Sequence, residues 1–422
     1  MNQLLTLSAL LACVLCVVSP AAAQEPTETP GGDGQRVGLA DFGQTTVLDS
    51  LFNPAISFVG DFVASWSEKD GRQAGADGLM LRGAELGIFG AVDDVVEYHG
   101  VLFFDEEEIE LEEAYVVARD WLPDRFSLKA GRYNIDFGKQ SAIHDHDLPT
   151  LDKPSTLQEY IGGTVRGSGA EVHWWTPFGD VSLFRASLGV LQSADSDAHV
   201  VLGPGAGHGH GDEDEDEEGP IRDIEDFAVN ARVATLVDVS EDTTLQVGAS
   251  YLHAPTRVFG VDETDERDVD QGVFGVDVTL TSQDEETGAG YTLQGEYLMN
   301  DRDFGELDDG GTPGVPGDDT FTVMNEDASG FYFLAEKRFN DRWAVGASVN
   351  VYEHAENSSE DSTDVGLFIT HWVNEFNRLR FEVRSFEDLA FEDDGVEEEL
   401  DFVAFSIQWT VILGSHGHGL EW

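Results

Sequence analysis

Two short clusters in this sequence carry side chains that could do chemistry. His144-Asp145-His146-Asp147 sets two imidazoles two residues apart with a carboxylate after each, and His208-Gly-His210 is followed by seven consecutive acids, Asp212 to Glu218. Imidazole nitrogen with carboxylate oxygen is the donor set of zinc and other borderline divalent cations. The candidate metal ligands are therefore His144, Asp145, His146, Asp147, His208, His210, Asp212 and Asp214. Neither cluster demands a metal. Histidines at i and i+2 share a face only in extended chain, Asp145 and Asp147 also suit the capping of a turn, and a run of like charges is by default a solvated segment. A third pair, His416 and His418, lies close to the C-terminus.

Other chemistry has little to work with. The sequence holds no Gly-x-Ser-x-Gly elbow and no His-Glu-x-x-His pair. Both cysteines, Cys13 and Cys16, fall in an apolar N-terminal segment, so the rest of the chain has neither thiolate nor disulfide. No catalytic residue and no catalytic cofactor is implied; the one ligand suggested is zinc or another divalent cation, and the chain reads as a non-enzyme. With 23 Lys and Arg against 83 Asp and Glu, a formal charge of −60, it repels nucleic acid and attracts cations.

The elements that must position these residues begin with an export signal. An apolar run from Leu4 to Val18 precedes Ser19-Pro20 and Ala21-Ala22-Ala23, which predicts a cleaved signal peptide over 1–23. Residues 24–52 are rich in Gly, Pro and acids and read as a flexible periplasmic leader. After residue 23 nothing approaches the roughly 20 consecutive apolar residues of a membrane helix.

From Ile56 onward the period is two. Ile56, Phe58, Gly60, Phe62, Ala64 and Trp66 alternate with smaller or polar residues, and about sixteen such segments follow one another to 400–413. Ten residues is the length a tilted membrane strand requires. The connections alternate short (91–94, 120–125, 176–180, 238–243, 283–289, 340–342, 374–378) with long (67–78, 134–164, 193–223, 255–271, 301–328, 354–362, 388–399), with a brief link at 105–109. Short turns at one end and long loops at the other are the pattern of outer-membrane barrels. The predicted fold is all-β: a transmembrane antiparallel β-barrel of about sixteen strands over 53–413, followed by a His-containing periplasmic tail at 414–422. A TonB-dependent receptor would need about 22 strands and a plug.

Alternation also assigns the faces. Val403, Phe405, Ile407, Trp409 and Val411 form a lipid-like row, as do Phe274, Val276, Val278 and Leu280. Their alternates are polar and are expected to face a wet lumen. The predicted pore-lining residues are Lys139, Lys153, Arg166, Arg232, Asp277, Glu296, Arg380, Glu382 and Arg384.

One stretch carries a resemblance. Glu112-Glu-Ala-Tyr-Val-Val-Ala-Arg119, Leu128-Lys-Ala-Gly-Arg-Tyr133, Phe137-Gly-Lys139, His144-Asp-His-Asp-Leu-Pro149 and Leu157-Gln-Glu-Tyr160 resemble the phosphate-selective porin O and P family. The His-bearing segments are similar to a branch of that family linked with zinc. The resemblance implies a sixteen-stranded, trimeric pore in the bacterial outer membrane whose third outer loop, here 134–164, folds inward. In that loop Lys139 and Lys153 face Asp136, Asp145, Asp147, Asp152 and Glu159, whereas a phosphate constriction needs positive charge. The expectation is a porin-like channel for passive diffusion of small solutes or ions, with acidic His-bearing loops that bind or concentrate zinc or other divalent cations. The alternatives are an anion (phosphate)-selective porin and a non-conducting structural or metal-sequestering barrel. The partners expected are the outer-membrane bilayer, small ions or solutes and two further copies of the chain.

Overall fold

Inward residues of the first strand, Ser57, Val59, Asp61, Val63 and Ser65, are buried, while Ile56, Phe58, Phe62 and Trp66 are exposed. This inverts the burial order of a water-soluble sheet and is what a strand bathed in lipid on one side requires. The last strand repeats it, with Phe405, Ile407, Trp409 and Leu413 outside and Ser406, Gln408 and Thr410 inside.

The computed structural model describes residues 54–67, 78–105, 109–119, 122–179, 182–192, 201, 227–260, 266–284, 286–308, 320–393 and 396–414. The predicted signal peptide and leader, the tail from 415, and the 202–226 stretch with His208, His210, Asp212 and Asp214 lie outside them. Sixteen strands are described: β1 (Ala55–Ser67), β2 (Gly78–Ala91), β3 (Val96–Phe104), β4 (Ile109–Ala118), β5 (Phe126–Asn134), β6 (Arg166–Pro177), β7 (Ser182–Gln192) and β8 (Ala228–Ser240), then β9 (Thr243–Gly260), β10 (Glu266–Gln283), β11 (Gly290–Asp308), β12 (Thr320–Asn340), β13 (Trp343–His354), β14 (Asn357–Asn374), β15 (Asn377–Asp393) and β16 (Val396–Gly414). Each pairs antiparallel with its sequence neighbours. β1 closes on β16, from Ser57 opposite Gly414 to Ser67 opposite Ala404, so the barrel has no free edge. No described helix is long and apolar enough to cross a membrane; the strands cross instead.

Four of the predicted long loops are mostly strand. β9 runs to Gly260 and β10 starts at Glu266, β11 and β12 extend to Asp308 and from Thr320, two residues join β13 to β14, and β15 and β16 are separated only by 394–395. In these segments polar residues occupy both parities of the sequence, so the hydrophobic period vanishes although the backbone ladder continues.

One glycine is required by its geometry. Gly131 in β5 has φ +133°, and a Cβ there would stand 2.2 Å from the Ala114 carbonyl oxygen. Gly131→Ala is expected to destabilise the barrel by more than about 1 kcal/mol, read as a lower urea midpoint for loss of the heat-modifiable folded band; an unchanged midpoint would contradict the strain.

Candidate functional site

The connection between β5 and β6 turns into the barrel. Gly138 N donates to Ser250 Oγ of β9 (2.9 Å), Lys139 N to Glu296 Oε2 of β11 (3.3 Å), and Leu151 N to Glu382 Oε2 of β15 (2.9 Å). A 3-10 turn (Asp145–Asp147) and a short helix, α1 (Ser155–Ile161), lie in this loop. The helix ends on Gly162 at φ 68°, whose N–H bonds the Gln158 carbonyl, a glycine cap. Across the lumen, Gln271 Nε2 donates to the Tyr160 carbonyl (3.0 Å) and Tyr160 Oη to the Glu353 carbonyl (2.9 Å).

Part of the contact between loop and wall is apolar. Phe137, Leu157, Tyr160 and Ile161 pack against inward Leu252, Val273, Leu298 and Tyr352 in one buried cluster. A uniformly wet lumen was expected from alternation; these inward strand positions are apolar because a loop, not water, covers them.

Arginines hold the loop by its backbone. Arg378 donates to the His146 carbonyl, Arg380 to the Leu148 and Thr150 carbonyls, and Arg82 of β2 to the Leu151 carbonyl (2.7 Å). Two residues of one strand, Arg378 and Arg380, thus reach the carbonyls at 146, 148 and 150. Most of the predicted lining residues are engaged in such networks. Arg232 forms a two-pronged pair with Asp277 (2.6 and 3.0 Å), Arg384 binds Asp364 (2.7 Å) and Ser155 Oγ (2.6 Å), and Glu296 accepts from Tyr332 Oη (2.8 Å). Arg166 pairs with Glu112 (2.5 Å). Lys153 is enclosed by its own loop, donating to the Ser141 carbonyl (2.6 Å) and Thr164; burial pushes its ammonium down to about 8.

Beneath the loop, toward the short turns, lies a cavity of about 720 Å³ roofed by residues between Ile135 and Pro149. Of the nine predicted lining residues Lys139, Arg232 and Arg380 border it; Lys153, Arg166, Asp277, Glu296, Glu382 and Arg384 do not. Sequence reading missed Arg185, Lys129, His173, Glu171 and Glu336 on its wall. Eight Lys and Arg line it against seven Asp and Glu, so about a third of the chain's 23 basic residues meet fewer than a tenth of its 83 acids. The wall of this cavity is nearly charge-balanced although the molecule is strongly acidic. Asp136 on the loop shows how: burial raises its carboxyl, and Arg185 and Arg232 outweigh that and hold it down at about 2.

The His144 segment meets the wall at three glutamates. His146 Nδ1 is 2.9 Å from Glu85 Oε1 of β2, His144 Nδ1 is 3.3 Å from Glu85 Oε2, and His144 Nε2 is 3.4 Å from Glu113 Oε2 of β4. Glu112 and Glu113 are adjacent yet both buried inside. Strand register explains it: Glu113 opposes Val101 and Leu111 opposes Leu102, leaving Glu112 as the extra residue of a bulge that turns it inward. Burial disfavours charge on both imidazoles, but Glu112 and Glu85 hold His144 well above its usual range, and Glu85 and Asp147 hold His146 up at about 10. Asp145 is exposed and stands apart from this cluster; Asp147 Oδ2 lies 3.5 Å from His146 Nε2. Glu85, His144 and His146 each offer a ligand atom within 4.8 Å of the others.

No protein-family model matches the chain. A protein of Aquifex aeolicus (strain VF5), described as uncharacterized, is 24% identical over 351 residues, covering 80% of this chain and 69% of its own. Among solved structures the chain is similar to OprB of Pseudomonas putida (TM-score 0.53, 9% identity, 89% of this chain and 95% of that one) and to the anion-selective porin of Comamonas acidovorans (0.52, 10%, 86% and 99%). A loop L8 deletion mutant of the outer-membrane protein OmpT of Vibrio cholerae aligns at 0.50 with 11% identity, over 85% and 99%. The fold of this chain is therefore the closed sixteen-stranded antiparallel barrel of outer-membrane porins.

Proposed function

We propose that this protein is an outer-membrane pore for passive diffusion of small polar solutes and ions, narrowed by the 135–165 loop. The observation that carries this is the loop itself, fastened across the lumen from β2 to β15 above a charge-balanced cavity. A structural barrel has no need of an inward strap over a polar chamber, whereas a diffusion pore uses one to set its cut-off. The outer segment with His208, His210, Asp212 and Asp214 would serve as a collector of zinc or other divalent cations at the mouth, its seven carboxylates focusing positive ions. A homotrimer in the bilayer is the assembly proposed with it.

A second reading, anion preference, is favoured by the enrichment of basic residues in the cavity. Stepwise conductance of the refolded protein in a planar bilayer tests the pore, and its absence would indicate a plugged barrel. Reversal potentials test selectivity. Lys139, whose Nζ reaches Gln246 at the cavity edge (2.9 Å), is the sensitive position: Lys139→Glu should move the reversal potential toward cation preference, and no movement would place the selectivity filter elsewhere.

A further inference from the structure

We propose that Glu85, His144 and His146 form a divalent transition-metal site that clamps the inward loop to the barrel wall. The sequence suggested ligands on the loop alone; the new member is Glu85, which comes from β2, so an ion here would bridge loop and wall. All three residues are buried.

His146 Nδ1 and Glu85 Oε1 are at hydrogen-bond distance (2.9 Å), but around His144 the spacing suits a metal better than a hydrogen-bonded pair. His144 Nδ1 stands 3.3 Å from Glu85 Oε2 and 3.5 Å from Glu112 Oε2. A charge-assisted hydrogen bond between such groups closes to about 2.7–2.9 Å. Ligands bonded at about 2.0–2.1 Å around a tetrahedral ion stand about 3.4 Å apart. Glu85 Oε2 and Glu112 Oε2 belong to buried residues and accept no hydrogen bond. Buried oxygens without a donor are costly, and these two aim at the same imidazole.

Charge points the same way. Arg166 pairs with Glu112, but among the described residues the ion pairs of Glu85 and Glu113 are with the two imidazoles alone. One divalent cation supplies the two positive charges this pocket needs and leaves the histidines neutral, as ligands must be. Two imidazole nitrogens with carboxylate oxygen select zinc, cobalt, nickel or copper over calcium and magnesium.

The test uses the full mature chain, refolded in detergent and stripped with a chelator, with His208, His210, His416 and His418 all changed to alanine to silence the outer loop and tail. Titration with Co²⁺ is expected to show one saturable site per chain with visible d–d absorption that Zn²⁺ abolishes. Glu85→Gln and His146→Asn, each checked for the heat-modifiable folded band, should weaken it at least about tenfold. Where a variant does not fold, X-ray absorption of the zinc-loaded parent decides, a shell with two imidazoles supporting the site and one with fewer overturning it. Absence of a saturable site in that parent, or binding unchanged by Glu85→Gln in a folded barrel, overturns it as well. Conductance without metal binding would remove the site and leave the pore, and metal binding without conductance would do the reverse.

Discussion

Replacing Asp277 by alanine should cost the barrel about 3–5 kcal/mol, because it strands a guanidinium that is almost wholly enclosed. Asp277 and Arg232 are 1% and 2% exposed at their side chains, and the pair is joined by two hydrogen bonds. Of the other acidic groups nearby, Asp136 is 3.6 Å from Arg232 Nε and already holds Arg185, and Glu296 is engaged by Tyr332 Oη. Urea unfolding in detergent micelles, followed by loss of heat-modifiable mobility, reads the cost directly. The informative companion is Asp277→Leu with Arg232→Leu: removing both charges together should recover most of the stability, since apolar replacement of a buried pair is commonly near neutral. A single Asp277→Ala change costing under about 1 kcal/mol would mean that water reaches Arg232 and that this side of the lumen is wetter than its burial shows.

The second large effect is on the loop. Arg380→Leu removes the donors to the Leu148 and Thr150 carbonyls and to Gln408 Oε1 (2.6 Å). Each buried acceptor left without a partner costs about 1–3 kcal/mol, so the 148–150 segment should loosen before the barrel itself unfolds, while Arg378, Glu382 and Arg384 of the same strand still hold His146, Leu151 and Ser155. Two readouts separate those events. Amide exchange across 146–151 should speed up while strand amides stay protected, and single-channel conductance should rise as the constriction opens. Unaltered conductance with faster exchange would show that the loop's other anchors, among them Arg82, Gly138, Tyr160 and Arg378, hold the constriction without Arg380.

Much of this architecture can be read from residue order. Strand number, the antiparallel meander and the outward rows through Phe58 and Phe405 follow from a period of two repeated at tilted-strand length, because each alternation is a local property of about ten residues. The bulge at Glu112 was not legible, since regular alternation sends Glu112 and Glu113 to opposite faces and only the mismatch with β3 turns both inward. Lys153 differs in the other direction: one of two lysines in an inward loop reads as pore-lining, yet it folds back on Ser141 and Thr164.

Sequence by itself determined an antiparallel membrane barrel of about sixteen strands and marked His144 and His146 as residues able to bind a cation; the structure fixed the count at sixteen and closed β1 on β16. Only the tertiary structure decided which inward residues meet. Barrel closure and the inward turn of one loop bring Glu85 to His146 across 61 positions, and Arg380 to Thr150 across 230. Contacts over such separations depend on strand register and on which side a loop folds, and no short-range pattern encodes either.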